Sequence, residues 1–192
     1  MKLFLVRHGE SEGNLVACYH GQTDLKLTGR GRQQAEAIQP ILFRHKFDKI
    51  YSSDLTRTCN TCELAIPGAI YEPITLLREY DVGSLAGKPL MDLEPFQADP
   101  AVRPDYTYFG GENITMVRGR ARAFLNMLEA SDYTCVAAFS HFGFINCVLS
   151  EVLGVNYPRE TLKTGNCAIH VLEFDGKIWK IAALNYMTPV DC

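Results

Sequence analysis

Lys2-Leu3-Phe4-Leu5-Val6-Arg7-His8-Gly9 is an apolar run of a few residues that stops at an arginine, a histidine and a glycine. A run this short and this continuously apolar predicts a strand over residues 2–6 that is buried on both faces. The same grammar returns twice. Residues 48–52 suggest a second strand, followed by Asp54 as a helix cap and a helical pattern through Leu55, Thr58, Cys62 and Ala65. Residues 134–139 form a third apolar run, which ends in Ser140-His141 and leads into a helix reaching about Leu153.

Between these units, Thr28 precedes Ala35, Ile38, Ile41 and Leu42 at helical spacing, predicting a helix from Thr28 to about Arg44. Val117, Ala121, Phe124, Leu125 and Leu128 give the stretch 112–129 one apolar face. Residues 168–174 and 177–184 flank Asp175-Gly176, a strong hairpin signal. Residues 70–73 read as a short extended piece. Strand followed repeatedly by helix predicts a three-layer α/β/α fold with a mostly parallel central sheet. The stretch 80–111 holds four of the nine prolines and reads as a small lid insertion without regular structure.

The 192 residues suit a single domain spanning 1–192, large enough to bury roughly 70% of its unfolded surface. With 19 Lys+Arg against 22 Asp+Glu, the formal charge is -3, so no broad positive field is available for nucleic acid or an anionic membrane. Any anion site must be local. The N-terminal apolar run is too short for a signal peptide or a membrane span, so a cytoplasmic protein is expected. Seven scattered cysteines suit a reducing compartment as small apolar fillers. Cys59-x-x-Cys62 lacks a second pair at ligand spacing and lies in a helical pattern, so no metal or redox site is expected there.

In sheets of this kind ligands bind beyond the carboxyl ends of the strands. Strand one ends at Arg7-His8, strand two leads to Arg57, and strand three ends at Ser140-His141. Two guanidiniums aimed at one point repel unless an anion lies between them, and the planar fork of arginine matches phosphate or carboxylate. Arg57 falls in the first turn of its helix, where positive charge opposes the macrodipole and costs about 0.3–1 kcal/mol unless an anion binds there. These residues predict a pocket for a small dianion. His8 has Arg7 before it, Gly9 after it, and Glu10, Ser11 and Asn14 as nearby polar partners. A neutral imidazole whose tautomer is held is a competent nucleophile. His45 and His170 are expected to be structural, and His20 is open.

The string Arg7-His8-Gly9-Glu10-Ser11 with Asn14 resembles the RHG signature of the histidine phosphatase superfamily, the phosphoglycerate-mutase-like group. Further blocks are similar in the family's order: Gly21-Gln22-Thr23-Asp24, Leu27-Thr28 with Gly31 and Gln34-Ala35, Ser53-x-Leu55-x-Arg57, Arg78-Glu79 with Gly83 and Gly87, Gly110-Gly111-Glu112, Ser140-His141-x-Gly143 and Gly165-Asn166. Cys59 and Asn60 depart from the Ala and Gln of many members. The resemblance implies that His8 is a nucleophile that becomes phosphohistidine, and that Arg7, Arg57 and His141 bind the transferred phosphoryl group. It implies Glu79 as the acid that protonates the leaving oxygen and later the base toward water. Asn14, Gln22, Thr23 and Phe142, the last through its backbone N–H, are the implied substrate-binding helpers.

Phosphoryl transfer spreads charge over three equatorial oxygens, which fixed cations can stabilise, so no metal and no cofactor is expected. The implied activity is hydrolysis of a small phosphate monoester: a sugar phosphate, phosphoserine or, by likeness to short bacterial members, an ester of the α-ribazole phosphate kind. The alternatives are a cofactor-dependent phosphoglycerate mutase and a non-catalytic phosphate-binding module. Family mutases have a longer insertion after the glutamate, which favours hydrolysis here. In the lid, Phe96, Tyr106, Tyr108 and Phe109 offer faces either to the domain or to a substrate. The expected partner is a small-molecule phosphate ester, with a homodimer left open.

Overall fold

The computed structural model describes residues 1–90, 107, 109–155 and 162–186, and within them the strands form one six-stranded sheet. In chain order the strands are β1 (Lys2–Arg7), β2 (Lys49–Ser52), β3 (Glu72–Pro73), β4 (Cys135–Ser140), β5 (Ile169–Phe174) and β6 (Trp179–Tyr186), and a single-turn helix, α1 (Glu12–Leu15), follows β1. They lie side by side as β3-β2-β4-β1-β5-β6. The first four in that order are parallel, while β5 runs antiparallel to β1 and β6 antiparallel to β5. The mostly parallel α/β sheet expected from the sequence is therefore present.

The period of two along β1 explains the layering. Leu3 and Leu5 point to a core shared with α5 (Ile114–Glu129) and α6 (Phe142–Leu153). Phe4 and Val6 point the other way, to α2 (Gly29–Ala37), α3 (Gln39–Leu42) and α4 (Thr56–Ala65). On β4, Val136 and Ala138 share the first core, whereas Ala137 and Phe139 share the second. Both faces are dry, which is why these strands carry no polar alternation. Complete burial of a Phe such as Phe139 stabilises the fold by roughly 1.5–3 kcal/mol.

Three local expectations need correction. The helix after Thr28 does not run to Arg44. Thr28 does cap it, its Oγ1 accepting from Gly31 N at 3.0 Å, but the helix breaks at Ile38 into α2 and α3. Pro40 has no N–H to continue the ladder and its ring crowds the carbonyl four residues back. Nor does Asp54 cap α4, whose N-cap position is Leu55 with no side-chain bond. Asp24 supplies that carboxylate from a distant loop, accepting from Thr56 N at 2.7 Å and Thr56 Oγ1 at 2.6 Å. Finally, the β5–β6 hairpin pairs Phe174 with Trp179, so its loop is four residues and not a dipeptide. Asp175 Oδ1 closes it by accepting from the backbone of Lys177 and Ile178.

Of the lid, residues 91–106 and 108 lie outside the described residues, and with them Phe96, Tyr106 and Tyr108. Its near part is tied to the loop after β1. Tyr19 N donates to Lys88 O, Gly87 N to Tyr19 O and Leu90 N to Ala17 O, zipping two extended pieces together. Its far part turns at Phe109 and Gly110, both at positive φ, with the Phe109 side chain exposed. No helix among the described residues is long and apolar enough to cross a membrane.

Candidate active site

Strand register brings the two histidines together. In the parallel pair β1–β4, Arg7 lies opposite Ser140, so the next residues, His8 and His141, leave the same end of the sheet side by side. Their ring centroids are 5.2 Å apart, and His8 N donates to Ser140 O. From the next strand, Ser53 N donates to Phe139 O, setting Ser53 beside the same corner. β3 then delivers the 3-10 turn Thr75–Leu77, where Leu77 O accepts from Ser140 Oγ at 2.7 Å, and Arg78-Glu79 follow directly.

His8 is 5% exposed. Its Nδ1 lies 2.7 Å from Gly9 O, a carbonyl that can only accept, so Nδ1 carries the proton and Nε2 keeps its lone pair in the neutral ring. Burial holds its pKa well below the usual value, the charges of Arg7 and Arg57 push it the same way, and the Gly9 bond opposes them. The backbone there is fixed tightly. A Cβ on Gly9 would meet Gly31 O at 2.4 Å, and a Cβ on Gly31 would meet Glu10 O at 1.9 Å, so the first turn of α2 packs directly on the loop behind the nucleophile candidate.

Arg57 is 4% exposed, and its guanidinium spends one edge on the loop after β1, donating to Thr23 O at 2.7 Å and Gly21 O at 2.8 Å. Burial disfavours its charge, while Glu79 and Asp24 nearby favour it. Arg7 is steadied by donation to Thr164 O and by the Phe142 ring, whose centroid is 5.5 Å from its guanidinium carbon. His141 is fully buried, with Nε2 2.9 Å from Ser53 Oγ and Nδ1 buried without a hydrogen-bond partner. Its pKa is also held well below the ordinary value, by burial first and then by Arg57, His8, Arg7 and Arg120.

The Glu79 carboxylate is oriented by two backbone N–H groups, Tyr80 at 2.9 Å and Gly143 at 3.0 Å in the first turn of α6. Gly143 leaves no room for a side chain, since a Cβ would meet Glu79 Oε1 at 2.3 Å. Gln22 links the neighbours, donating to Glu79 O at 3.0 Å and accepting from Arg78 at 3.1 Å. Arg78 in turn makes a two-pronged pair with Asp54.

Of the remaining predicted helpers, Asn14 is exposed, and its Oδ1 accepts from Ser11 N and from Asn166 Nδ2, which also holds His8 O. Thr23 contributes its carbonyl, to Arg57. His45 packs its ring 4.4 Å from that of Phe4, and His170 is buried in β5. Burial raises the thiols of Cys59 and Cys62 above their ordinary values. Among the described residues no group of three or more His, Cys, Asp or Glu is arranged to hold a metal ion.

Sequence reasoning gave no role to Ser53, Asn166, Asp24 as a helix cap, or Arg120. For Ser53 the signal was a polar residue directly after an apolar strand. For Arg120 it was an arginine set within the apolar stripe of Val117, Ala121 and Phe124.

Residues 3–187 match the profile of the histidine phosphatase superfamily (branch 1). A Proteus mirabilis (strain HI4320) protein named Probable phosphoglycerate mutase GpmB is 32% identical over 190 residues, covering 93% of this chain and 87% of its own. An Escherichia coli K-12 structure assigned provisionally as an alpha-ribazole-5'-P phosphatase is 25% identical, with a TM-score of 0.83 over 97% of this chain and 96% of its own. The structure of a mycobacterial glucosyl-3-phosphoglycerate phosphatase with VO3 is 26% identical, with a TM-score of 0.82 over 96% of this chain and 98% of its own.

Proposed function

Since the chain belongs to the histidine phosphatase superfamily, we propose that it hydrolyses a small phosphate monoester without a metal ion, carrying the phosphoryl group on His8. One observation carries this reading: a buried neutral imidazole, its Nδ1–H spent on Gly9 O, beside the two arginines that depress its pKa. Nε2 is left as the nucleophile, and the same Gly9 carbonyl stabilises the ring as it gains positive character on phosphorylation.

In the first step the Nε2–P bond forms as the bond from phosphorus to the ester oxygen breaks. Arg7 and Arg57 take the charge on the equatorial oxygens. When Ser53 O–H donates to His141 Nε2, His141 Nδ1–H becomes a third donor for the phosphoryl group. Glu79 gives its proton to the departing alkoxide, a contribution of about 10²–10⁴-fold. In the second step Glu79 takes a proton from water as its oxygen attacks phosphorus, and the Nε2–P bond breaks to release phosphate and free His8. Asn14, Gln22 and Thr23 hold the loop that faces the ester.

The test is turnover of p-nitrophenyl phosphate in EDTA by the wild type and by His8→Ala. Activity retained in EDTA, lost in His8→Ala, and accompanied by an acid-labile, base-stable phosphoprotein is expected. Unchanged turnover in His8→Ala removes His8 from the mechanism, and abolition by EDTA removes the metal-free reading.

The substrate class proposed is an ester of the α-ribazole phosphate kind, supported by the E. coli structure. A second reading, phosphoglycerate mutase, is favoured by the name of the Proteus relative. That relative is matched over 87% of its own length, so overall likeness does not separate hydrolysis from isomerisation. Incubation with α-ribazole 5′-phosphate, and with 3-phosphoglycerate plus 2,3-bisphosphoglycerate, does: free phosphate supports the hydrolase, 2-phosphoglycerate the mutase. A reducing cytoplasm suits the chain, whose described cysteines are free thiols.

A further inference from the structure

The Arg120 guanidinium has five N–H donors, and all five are used, two on the Glu112 carboxylate and three on backbone carbonyls of residues 76–79. Nε donates to Glu112 Oε1 at 2.7 Å and Nη2 to Glu112 Oε2 at 2.8 Å, a bidentate pair. Nη1 donates to the carbonyls of Leu76 at 2.7 Å and Arg78 at 2.9 Å, and Nη2 also to that of Glu79 at 3.2 Å. The partner carboxylate continues the grip. Glu112 Oε2 accepts from Asp81 N at 2.9 Å, and Glu112 N donates to Asp81 O at 2.7 Å. The backbone on both sides of Glu79 is thus held by one ion pair, which is largely buried, with side-chain exposures of 18% and 14%.

The pair is itself anchored. Arg120 leaves α5 between Val117 and Ala121, both fully buried, and its guanidinium carbon lies 5.4 Å from the centroid of the Phe144 ring. Gly111 packs so closely that a Cβ would meet Asp81 O at 2.2 Å, which fixes Glu112 against the segment it holds. A planar fork satisfied at every donor tolerates little rotation, so the rigidity of a core helix passes to an otherwise irregular stretch.

We infer that Arg120, through Glu112, is a positioning residue that sets the Glu79 carboxyl at the distance needed to hand a proton to the leaving oxygen. This rests on the acid role proposed for Glu79. A misplacement on the order of 1 Å costs about 10²-fold in rate, and only where the misplaced group acts. The clamp therefore matters for esters whose alkoxide needs a proton and little for nitrophenolate, which leaves without one.

The experiment compares glycerol phosphate with p-nitrophenyl phosphate in wild type, Arg120→Met, Arg120→Lys, Glu79→Gln and the double variant Glu79→Gln/Arg120→Met, with urea unfolding to verify folding. Arg120→Met is expected to slow the alkyl ester about 10²-fold and the nitrophenyl ester by no more than about 3-fold. Arg120→Lys, which keeps the charge but not the fork, is expected to behave like Arg120→Met, and the double variant to be no slower than Glu79→Gln. Equal slowing of both esters, full rescue by lysine, or multiplied losses in the double variant overturns the clamp and leaves Glu79 untouched. Equal slowing of both esters by Glu79→Gln overturns the acid role, and the clamp with it. Should Arg120→Met not fold, Glu112→Gln decides by the same ratio of esters.

Discussion

Lowering the pH from 7 to 4 should destabilise the protein through His170 by an amount that its surroundings set. His170 faces Leu5 across the β1–β5 pair and is fully buried. Its Nδ1 accepts from Asn185 N at 3.3 Å, so the neutral ring carries its proton on Nε2, which is buried without a partner. A second proton must break the Asn185 bond and place a charge in a dry site, and burial pushes the pKa down to about 4. Because the folded value lies below the unfolded value of about 6.5, the unfolded chain takes the proton first. Stability is complete above pH 6.5 and is lost as pH falls toward 4. A displacement of about 2.5 units at 1.36 kcal/mol each amounts to about 3 kcal/mol.

The assay is urea unfolding at several pH values from 7.5 to 4 in phosphate-free buffer, so that anion binding to the native state adds nothing. His170→Gln keeps an acceptor for Asn185 and cannot titrate. The wild type should lose about 3 kcal/mol more than His170→Gln across this range. Subtracting one from the other removes the carboxylates and the other histidines, His8 and His141 among them, which are present in both proteins. A difference that stays constant with pH refutes the reasoning. The loss also reaches the pocket, since Asn185 Oδ1 holds Gly165 N, and the neighbouring Thr164 carbonyl holds Arg7.

Three further outcomes follow from the same geometry. His8 is kept neutral by burial and by Arg7 and Arg57, so kcat/KM, corrected for ionisation of the substrate, should stay flat as pH falls through 6.5; an acid limb at the ordinary histidine value contradicts the burial argument. Gly143→Ala forces a methyl against Glu79 and Tyr80, so alkyl ester turnover should fall while α6, given a better helix former, stays folded by circular dichroism; wild-type turnover on glycerol phosphate would count against the placement of Glu79. Asp24→Ala removes both bonds to Thr56 and should cost about 0.5–2 kcal/mol in urea unfolding, with weaker binding of inorganic phosphate because Arg57 lies in the first turn of the same helix; no change in either excludes Asp24 as the cap.

The apolar runs 2–6, 48–52 and 134–139 were enough to predict a mostly parallel sheet, because strands dry on both faces cannot carry polar alternation. The rule that ligands bind beyond strand ends was enough to nominate Arg7, His8, Arg57 and His141 before any distance was known. What depends on one residue and its near neighbours was legible in this way, including the Thr28 cap. Asp24 in place of Asp54 at the start of α4, Ser53 behind His141, and Arg120 spanning from α5 to the carbonyls around Glu79 were not. Each joins groups far apart in sequence, and a hydrogen bond requires partners within about 3 Å. Only the packed chain settles such distances, because they depend on how two helical layers and a sheet register against one another, which no local pattern encodes.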